Sequence, residues 1–492
     1  MRMKRVTVAV GLGLLAATPG LTQSTPQSRR VREIDTYLQR AVALGQFSGN
    51  VLVADEGRIV YQNAFGEANR EWGTPNTLDT RFEIASMTKA ITAIVIFQLV
   101  QEGKVRLDGR VSEYVPFYPP ATGNQITVDQ LLAHTSGLQQ DIAFPDDANP
   151  FRSIIAAINA DLLTNDSLVK LIAQRPLRFE PGTSYGYSSD AYAVLGAIIE
   201  HVTRTPYWAA IKTRVFDRAG MKETGVSLLG PIVKKRASGY AQTFDGYVNA
   251  PHIGVTAAGG LYSTLRDLYA LDRALYTDTL VQASAKERIF AVRDVATAYG
   301  WKTSEESRPD GGTRRIFRTT GGLPGFGSLM VRIPSENRVV ILLGNTRDLT
   351  WRLDEFAIAI NRILDGELHR PPRASAADVL AQRIRQGSRG AALRNHLSAM
   401  IADTLTYDIR EAELNRLGYH LLYAKQSPID ARQVFELNVA AFPRSANVYD
   451  SLAEAFLVSG DTVQAVTNYR RSLELDPNNT NAVEVLKRIT AP

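Results

Sequence analysis

The chain has 492 residues, of which 45% are hydrophobic and 22% charged, values of an ordinary globular protein with room for two domains. Its formal charge is +6, and setting aside the three cations Arg2, Lys4 and Arg5 leaves +3, which argues against a nucleic-acid partner. Cysteine is absent, so disulfides, thiol nucleophiles, Cys-ligated zinc and a lipid-bearing cysteine anchor are excluded.

Met1–Arg5 is basic, Val6–Ala17 is an apolar run too short to span a bilayer, and polar residues follow. This order predicts a signal peptide over about residues 1–22, hence an exported protein, periplasmic or secreted, with no integral membrane span. No A-x-A sequence marks the cleavage point. From about Arg30 to Gly45 the spacing of Val31, Ile34, Leu38 and Val42 predicts an amphipathic helix. Two strands, Gly49–Ala54 and Arg58–Phe65, follow around a turn at Asp55-Glu56-Gly57. A strong helix is expected from Ser86 to about Glu102, ending at Gly103.

Residues 105–250 are punctuated by Pro, Gly and Asn and read as a helix-rich insertion. Strand signals return at Ile316–Thr320, Ser328–Ile333 and Arg338–Leu343, with Pro334–Asn337 as a turn and a closing helix at Trp351–Leu364. The two ends of this part therefore supply an antiparallel sheet with flanking helices, and a helical subdomain is inserted between them. The expected fold class is α+β over about residues 30–366, followed after the Pro371-Pro372 linker by an all-α domain over 374–492. In that second domain Ala431, Phe435 and Pro443 precede Ala465, Tyr469 and Pro477 by 34 residues each, the period of tetratricopeptide-like repeats. About two and a half repeats are too few for a free-standing solenoid, so they are expected to lean on the first domain, and they offer a surface for a protein partner.

The chemistry starts at Ser86-Met87-Thr88-Lys89. Residues i and i+3 share a helix face, which sets the ammonium beside the hydroxyl, and a serine at a helix start brings its own backbone N–H as an oxyanion donor. A second S-x-x-K, Ser167-Leu168-Val169-Lys170, shows that the tetrapeptide alone says little. Context separates them: Ser86 follows a strand-like Phe82–Ala85 and opens a long apolar helix, whereas Ser167 reads as an ordinary helix cap. Further on, Tyr187-Ser188-Ser189 precedes another apolar helix, and a tyrosine beside such a serine and lysine can relay a proton. Taken alone, that segment reads more readily as a half-buried structural tyrosine or a cap at Ser189. Arg318-Thr319-Thr320-Gly321-Gly322 lies on an expected strand, where paired glycines admit a substrate backbone and an N–H can face an oxyanion.

These three elements, in this order, resemble the serine β-lactamase and penicillin-binding-protein superfamily, in its class C, D-aminopeptidase and family VIII esterase branch. The flanks Leu131–Leu138, Phe179–Thr183, Ala258–Ser263 and Leu323–Phe326 support the resemblance, which covers roughly residues 30–365. It implies a serine hydrolase that forms a Ser86 acyl-enzyme from a small-molecule or peptide ester or amide, without a cofactor. Lys89 is then the activator, Tyr187 the general base and acid, and the N–H groups of Ser86 and Gly322 the oxyanion hole. Ser189, Thr319, Thr320 and Gly321 are implied to touch substrate.

Two positions depart from the family pattern. Ser189 stands where the family's Y-x-N motif carries an amide, and Thr319 stands where its third motif carries a cation that binds a substrate carboxylate. The second change favours esterase or peptidase activity over β-lactamase activity unless Arg318 or Arg314 supplies the charge. Three competing readings are weaker. Gly182-Thr183-Ser184-Tyr185-Gly186 fits the G-x-S-x-G nucleophile elbow but lacks a preceding strand. A Ser-His-Asp triad through His134 is weaker than a structural histidine bonding loop backbone, and the six histidines lack metal-ligand spacing, so no metal is expected. An inactive periplasmic scaffold that binds a protein through its helical repeats is the alternative to an enzyme.

Overall fold

The computed structural model describes residues 26–140, 164–254, 256–293, 297–308, 311–346 and 350–490. The expected signal peptide lies outside the described residues. Six strands form the central sheet: β1 (Gly49–Asp55), β2 (Arg58–Phe65), β3 (Lys302–Ser307), β4 (Thr313–Leu323), β5 (Phe326–Ile333) and β6 (Arg338–Gly344). Their order across the sheet is β3-β4-β5-β6-β1-β2, antiparallel at every step, so the first strand of the chain pairs with the last of the sheet. The sequence signals recovered five of these strands. They missed β3, a polar edge strand (Lys-Thr-Ser-Glu-Glu-Ser) with no apolar alternation to betray it.

β6 is buried along its whole length because both faces of the sheet are covered. Val340 and Leu342 pack with helices α1 (Pro26–Ala43) and α4 (Thr350–Asp365) through Ile34, Leu38, Phe356 and Ile360. Val339, Ile341 and Leu343 face the other way, into the largest core, with helices α2 (Thr88–Gln101) and α3 (Ser189–Thr203). A one-residue register slip would swap these two sets, so burial on both sides fixes the pairing. α2 is buried from Thr88 to Leu99 and apolar on all sides, as a helix enclosed by protein must be.

Beyond the linker, seven helices from Ala376–Arg385 to Thr480–Ile489 enclose a separate core. Ala431, Phe435, Ala465 and Tyr469, the residues related by the 34-residue period, are all buried in it. One residue of that core comes from the first domain: Phe244, at the tip of the hairpin Tyr240–Thr243/Gly246–Asn249. Around it Arg385 donates to the Phe244 carbonyl, the Arg416 guanidinium lies 4.4 Å from the ring, and Asp245 pairs with His420 and Lys425 at 3.0 and 2.9 Å. The expected leaning of the helical segment on the first domain takes this form. Among the described residues no helix is long and apolar enough to cross a membrane.

Candidate active site

Phe82–Glu83 pairs with Leu261–Ser263, and the Ile84 N–H donates to the Leu261 carbonyl at 2.8 Å. The chain then turns sharply: Ala85 takes a left-handed φ of 47°, a conformation that costs a non-glycine residue about 1 kcal/mol. A short 3-10 turn, Ala85–Met87, carries Ser86, and the α-helix proper starts only at Thr88. Ser86 therefore sits one turn ahead of the helix rather than as its first residue. No side chain caps either turn, so the Ser86 hydroxyl remains available to other partners.

It receives two hydrogen bonds. Lys89 Nζ donates to Ser86 Oγ at 3.0 Å, the i to i+3 contact expected from the spacing, and Tyr187 Oη donates to the same oxygen at 3.0 Å. Lys89 is 2% exposed and also donates to Ser189 Oγ at 3.3 Å and to the Ala258 carbonyl at 2.9 Å. Its ammonium lies 5.0 Å from the centre of the Tyr187 ring. Every acceptor of Lys89 is a neutral oxygen; no ion pair to it exists among the described residues. The result is a buried cation whose charge is uncompensated beside the two oxygens that can become anionic.

Ser188, not Ser189, caps α3, accepting from the Ala191 N–H. That frees Ser189 to face Lys89, so a short hydroxyl makes the contact that the resemblance assigns to an amide. The other S-x-x-K is placed differently as well. Thr164 caps the helix Asn165–Ile172, and Ser167 lies inside it with its hydroxyl on Thr164. Ser184 precedes α3 in a turn, with no strand leading into it.

The third wall is β4. β3 ends its pairing at Lys302 opposite Arg318, so the β4 backbone from Thr319 onward has an open edge on that side. Gly321 lets this strand press against the Ser86 turn: a Cβ there would lie 2.1 Å from the Ile84 carbonyl oxygen, which also accepts from Ser328 Oγ at 2.8 Å. Ser86, Lys89, Tyr187, Thr319, Thr320 and Gly322 thus line one cavity of about 340 Å3. Gly321 shapes it from behind and Ser189 supports it through Lys89.

Of the two arginines considered for the missing cation, Arg314 is unavailable. It is buried and held by Glu306, Glu336 and Asp365 at 2.8–3.0 Å, on the far side of the sheet from Ser86. Arg318 does line the cavity, and so does Lys302 across the ladder from it. Among the described residues neither has an ion pair; Asp354 of α4 lines the same cavity, and burial holds its carboxyl above the usual range against the pull of Arg318 and Lys302. Like charges directly opposite on a sheet repel, so this corner retains positive potential. Lys302 and Asp354 escaped the sequence reading because each is an ordinary surface charge until β3 and α4 meet β4. The Ala258 carbonyl could not have been found at all, being main chain.

The part of the chain that carries this site has known counterparts. The Beta-lactamase family profile matches residues 34–362. "Penicillin-binding protein 4*" of Bacillus subtilis strain 168 is 29% identical over 372 residues, covering 71% of this chain and 79% of that protein. The crystal structure of a penicillin-binding protein from Bacillus halodurans superposes with a TM-score of 0.56 at 27% identity, over 65% of this chain and 98% of the other. The D-amino acid amidase of Ochrobactrum anthropi SV3 shares the fold with a TM-score of 0.57 at 22% identity, over 69% and 99% of the two chains.

Proposed function

Because the chain belongs to the beta-lactamase family of serine hydrolases, we propose that it hydrolyses an ester or amide through an acyl-enzyme on Ser86. The observation that carries this is the convergence of Lys89 and Tyr187 on Ser86 Oγ, each at 3.0 Å, at the floor of a cavity walled by an open strand edge. Turnover reverses one of the two resting hydrogen bonds. Once the Lys89–Tyr187 pair has given one proton to solvent, it takes the Ser86 proton through Tyr187 Oη while Oγ attacks the carbonyl carbon. Lys89 balances the negative charge on these oxygens, and the N–H groups of Ser86 and Gly322 hold the oxyanion. Collapse breaks the C–O or C–N bond as Tyr187 returns the proton to the leaving group, and water repeats the sequence to release the acid.

Substrate choice follows from the cation corner. Thr319 is neutral and 3% exposed, so charge recognition falls to its neighbour Arg318 on β4 and to Lys302 opposite on β3. This supports peptide-like or ester substrates over compact bicyclic β-lactams, whose carboxylate lies close to the reacting carbonyl. The expected export of the chain and the tetratricopeptide character of its C-terminal helices belong to the same proposal, as does the division into domains at Pro371-Pro372. The test is fluorophosphonate labelling and a panel of p-nitrophenyl esters, D-amino-acid amides and nitrocefin. Ser86→Ala should abolish labelling and lower turnover by several orders of magnitude, with Ser184→Ala largely active. A Ser86→Ala protein with near wild-type turnover overturns the assignment, and efficient nitrocefin hydrolysis with poor ester and amide turnover overturns the substrate order.

A further inference from the structure

Tyr187 and Ser189 come from one extended segment, and what holds that segment is the loop that follows Leu132. The Gly186 N–H donates to the His134 carbonyl at 2.8 Å, the Ser189 N–H to the Gln140 carbonyl at 2.7 Å, and Ser188 Oγ to the Gln139 carbonyl at 2.5 Å. Between them the Ser188 N–H donates to His134 Nδ1 at 3.1 Å. Among the described bonds of this clamp, it is the only one in which a side chain accepts from the segment's backbone. It sits on the residue between Tyr187, which reaches Ser86, and Ser189, which reaches Lys89.

His134 itself is fully buried and holds a left-handed φ of 59°. Its ring lies against Tyr187 with centroids 4.5 Å apart and planes at 31°, and against Tyr192 at 5.2 Å. With Nδ1 accepting, the neutral ring carries its proton on Nε2, which is buried without a hydrogen-bond partner. A purely structural residue here would avoid both the strained backbone and the orphaned donor; an apolar ring would fill the same space. What only a group such as this supplies is the acceptor at Nδ1.

Resting on the Ser86–Lys89–Tyr187 reading above, we propose that His134 is a positioning residue for the hydrolysis: through Nδ1 it fixes the Ser188 backbone and so aims Tyr187 at Ser86 and Ser189 at Lys89. Small displacements of a reacting group lower rate far more than affinity.

The test uses full-length His134→Asn and His134→Phe, assayed on a p-nitrophenyl ester beside Ser86→Ala, with melting curves for each. Asparagine places an oxygen where Nδ1 stands and tolerates a left-handed φ, so it should keep kcat within about threefold. Phenylalanine keeps the stack but removes the acceptor, so kcat should fall about 10–100-fold with KM moved little. If the phenylalanine variant does not fold, His134→Gln, whose amide starts one bond farther out, serves in its place and should show the same loss. Wild-type kcat in a folded His134→Phe protein overturns the proposal, as does a loss shared equally by Asn and Phe in step with their melting temperatures. Turnover surviving in Ser86→Ala would instead sink the active-site reading on which the proposal rests.

Discussion

Lys89 is buried and directs its ammonium at three neutral oxygens, so in the proposed mechanism its charge acts on the reacting groups rather than being absorbed by an acid. Lys89→Arg keeps the charge but replaces a compact, mobile donor by a planar fork that cannot deprotonate. It should lower kcat on a p-nitrophenyl ester by several orders of magnitude while the protein stays folded. Tyr187→Phe removes the proposed proton carrier, and kcat should fall about 10²–10⁴-fold with little change in KM; unchanged turnover would remove Tyr187 from the mechanism. His134 gives a prediction of another kind. Burial, with the nearby Lys89 charge, lowers its pKa from the ordinary 6.5 to about 3. Between those values the unfolded chain binds a proton that the folded chain does not, so stability falls as the pH drops from 6.5 toward 3. Denaturant melts at pH 7 and pH 5 should show the loss, and His134→Asn should reduce the difference by about 2 kcal/mol. Equal pH dependence in both proteins would show that His134 is not held neutral. At the residue scale, Ser86 and Lys89 were marked by their spacing and by the apolar helix that follows them, whereas Tyr187 was singled out only by the family resemblance. Arg314 was misread because three acids distant in sequence converge on it.

Among the elements, the contact between β4 and the Ser86 turn decides whether the groups above share one cavity. Gly321 makes that contact possible, since a methyl group would meet the Ile84 carbonyl oxygen at 2.1 Å. The atom in the way is main chain and cannot swing aside, so Gly321→Ala must move β4 or the turn. We expect a stability loss of about 1–3 kcal/mol, as in overpacked cores, and a fall in kcat of tenfold or more. Gly230→Ala is the control: nothing lies within 4 Å of its added Cβ, and both stability and turnover should stay near wild type. A Gly321→Ala enzyme that matches the control would mean that β4 has slack and that the close approach does not set the site. The glycine pair was visible in sequence as a place of close approach, but what approaches was not. β3 was invisible because an edge strand with one wet side and no apolar alternation looks like a loop.

For the whole molecule, the hairpin carrying Phe244 is the point where the two cores meet. Its second strand leads through residues 250–257 to Ala258, whose carbonyl holds Lys89, yet no residue lining the cavity comes from beyond Asp354. Truncation near Pro371 should therefore leave small-ester turnover per folded molecule largely intact while exposing Phe244 and lowering the melting temperature. Phe244→Ser in the truncated protein should restore solubility, and in the full chain it should cost a few kcal/mol by emptying its buried place. Loss of turnover in a well-folded truncation would show that the helical domain helps to hold the Lys89 carbonyl, and the proposed division would fail. The sequence by itself determined the elements whose signals are local: the periods of helices and strands, the serine and lysine one turn apart, and the 34-residue repeat. Only the tertiary structure decided which charges are free, which main-chain carbonyl holds Lys89, where β4 opens its edge, and that Phe244 belongs to the second core. Each of these depends on residues brought together from far along the chain, and no pattern within a short window of sequence records such a meeting.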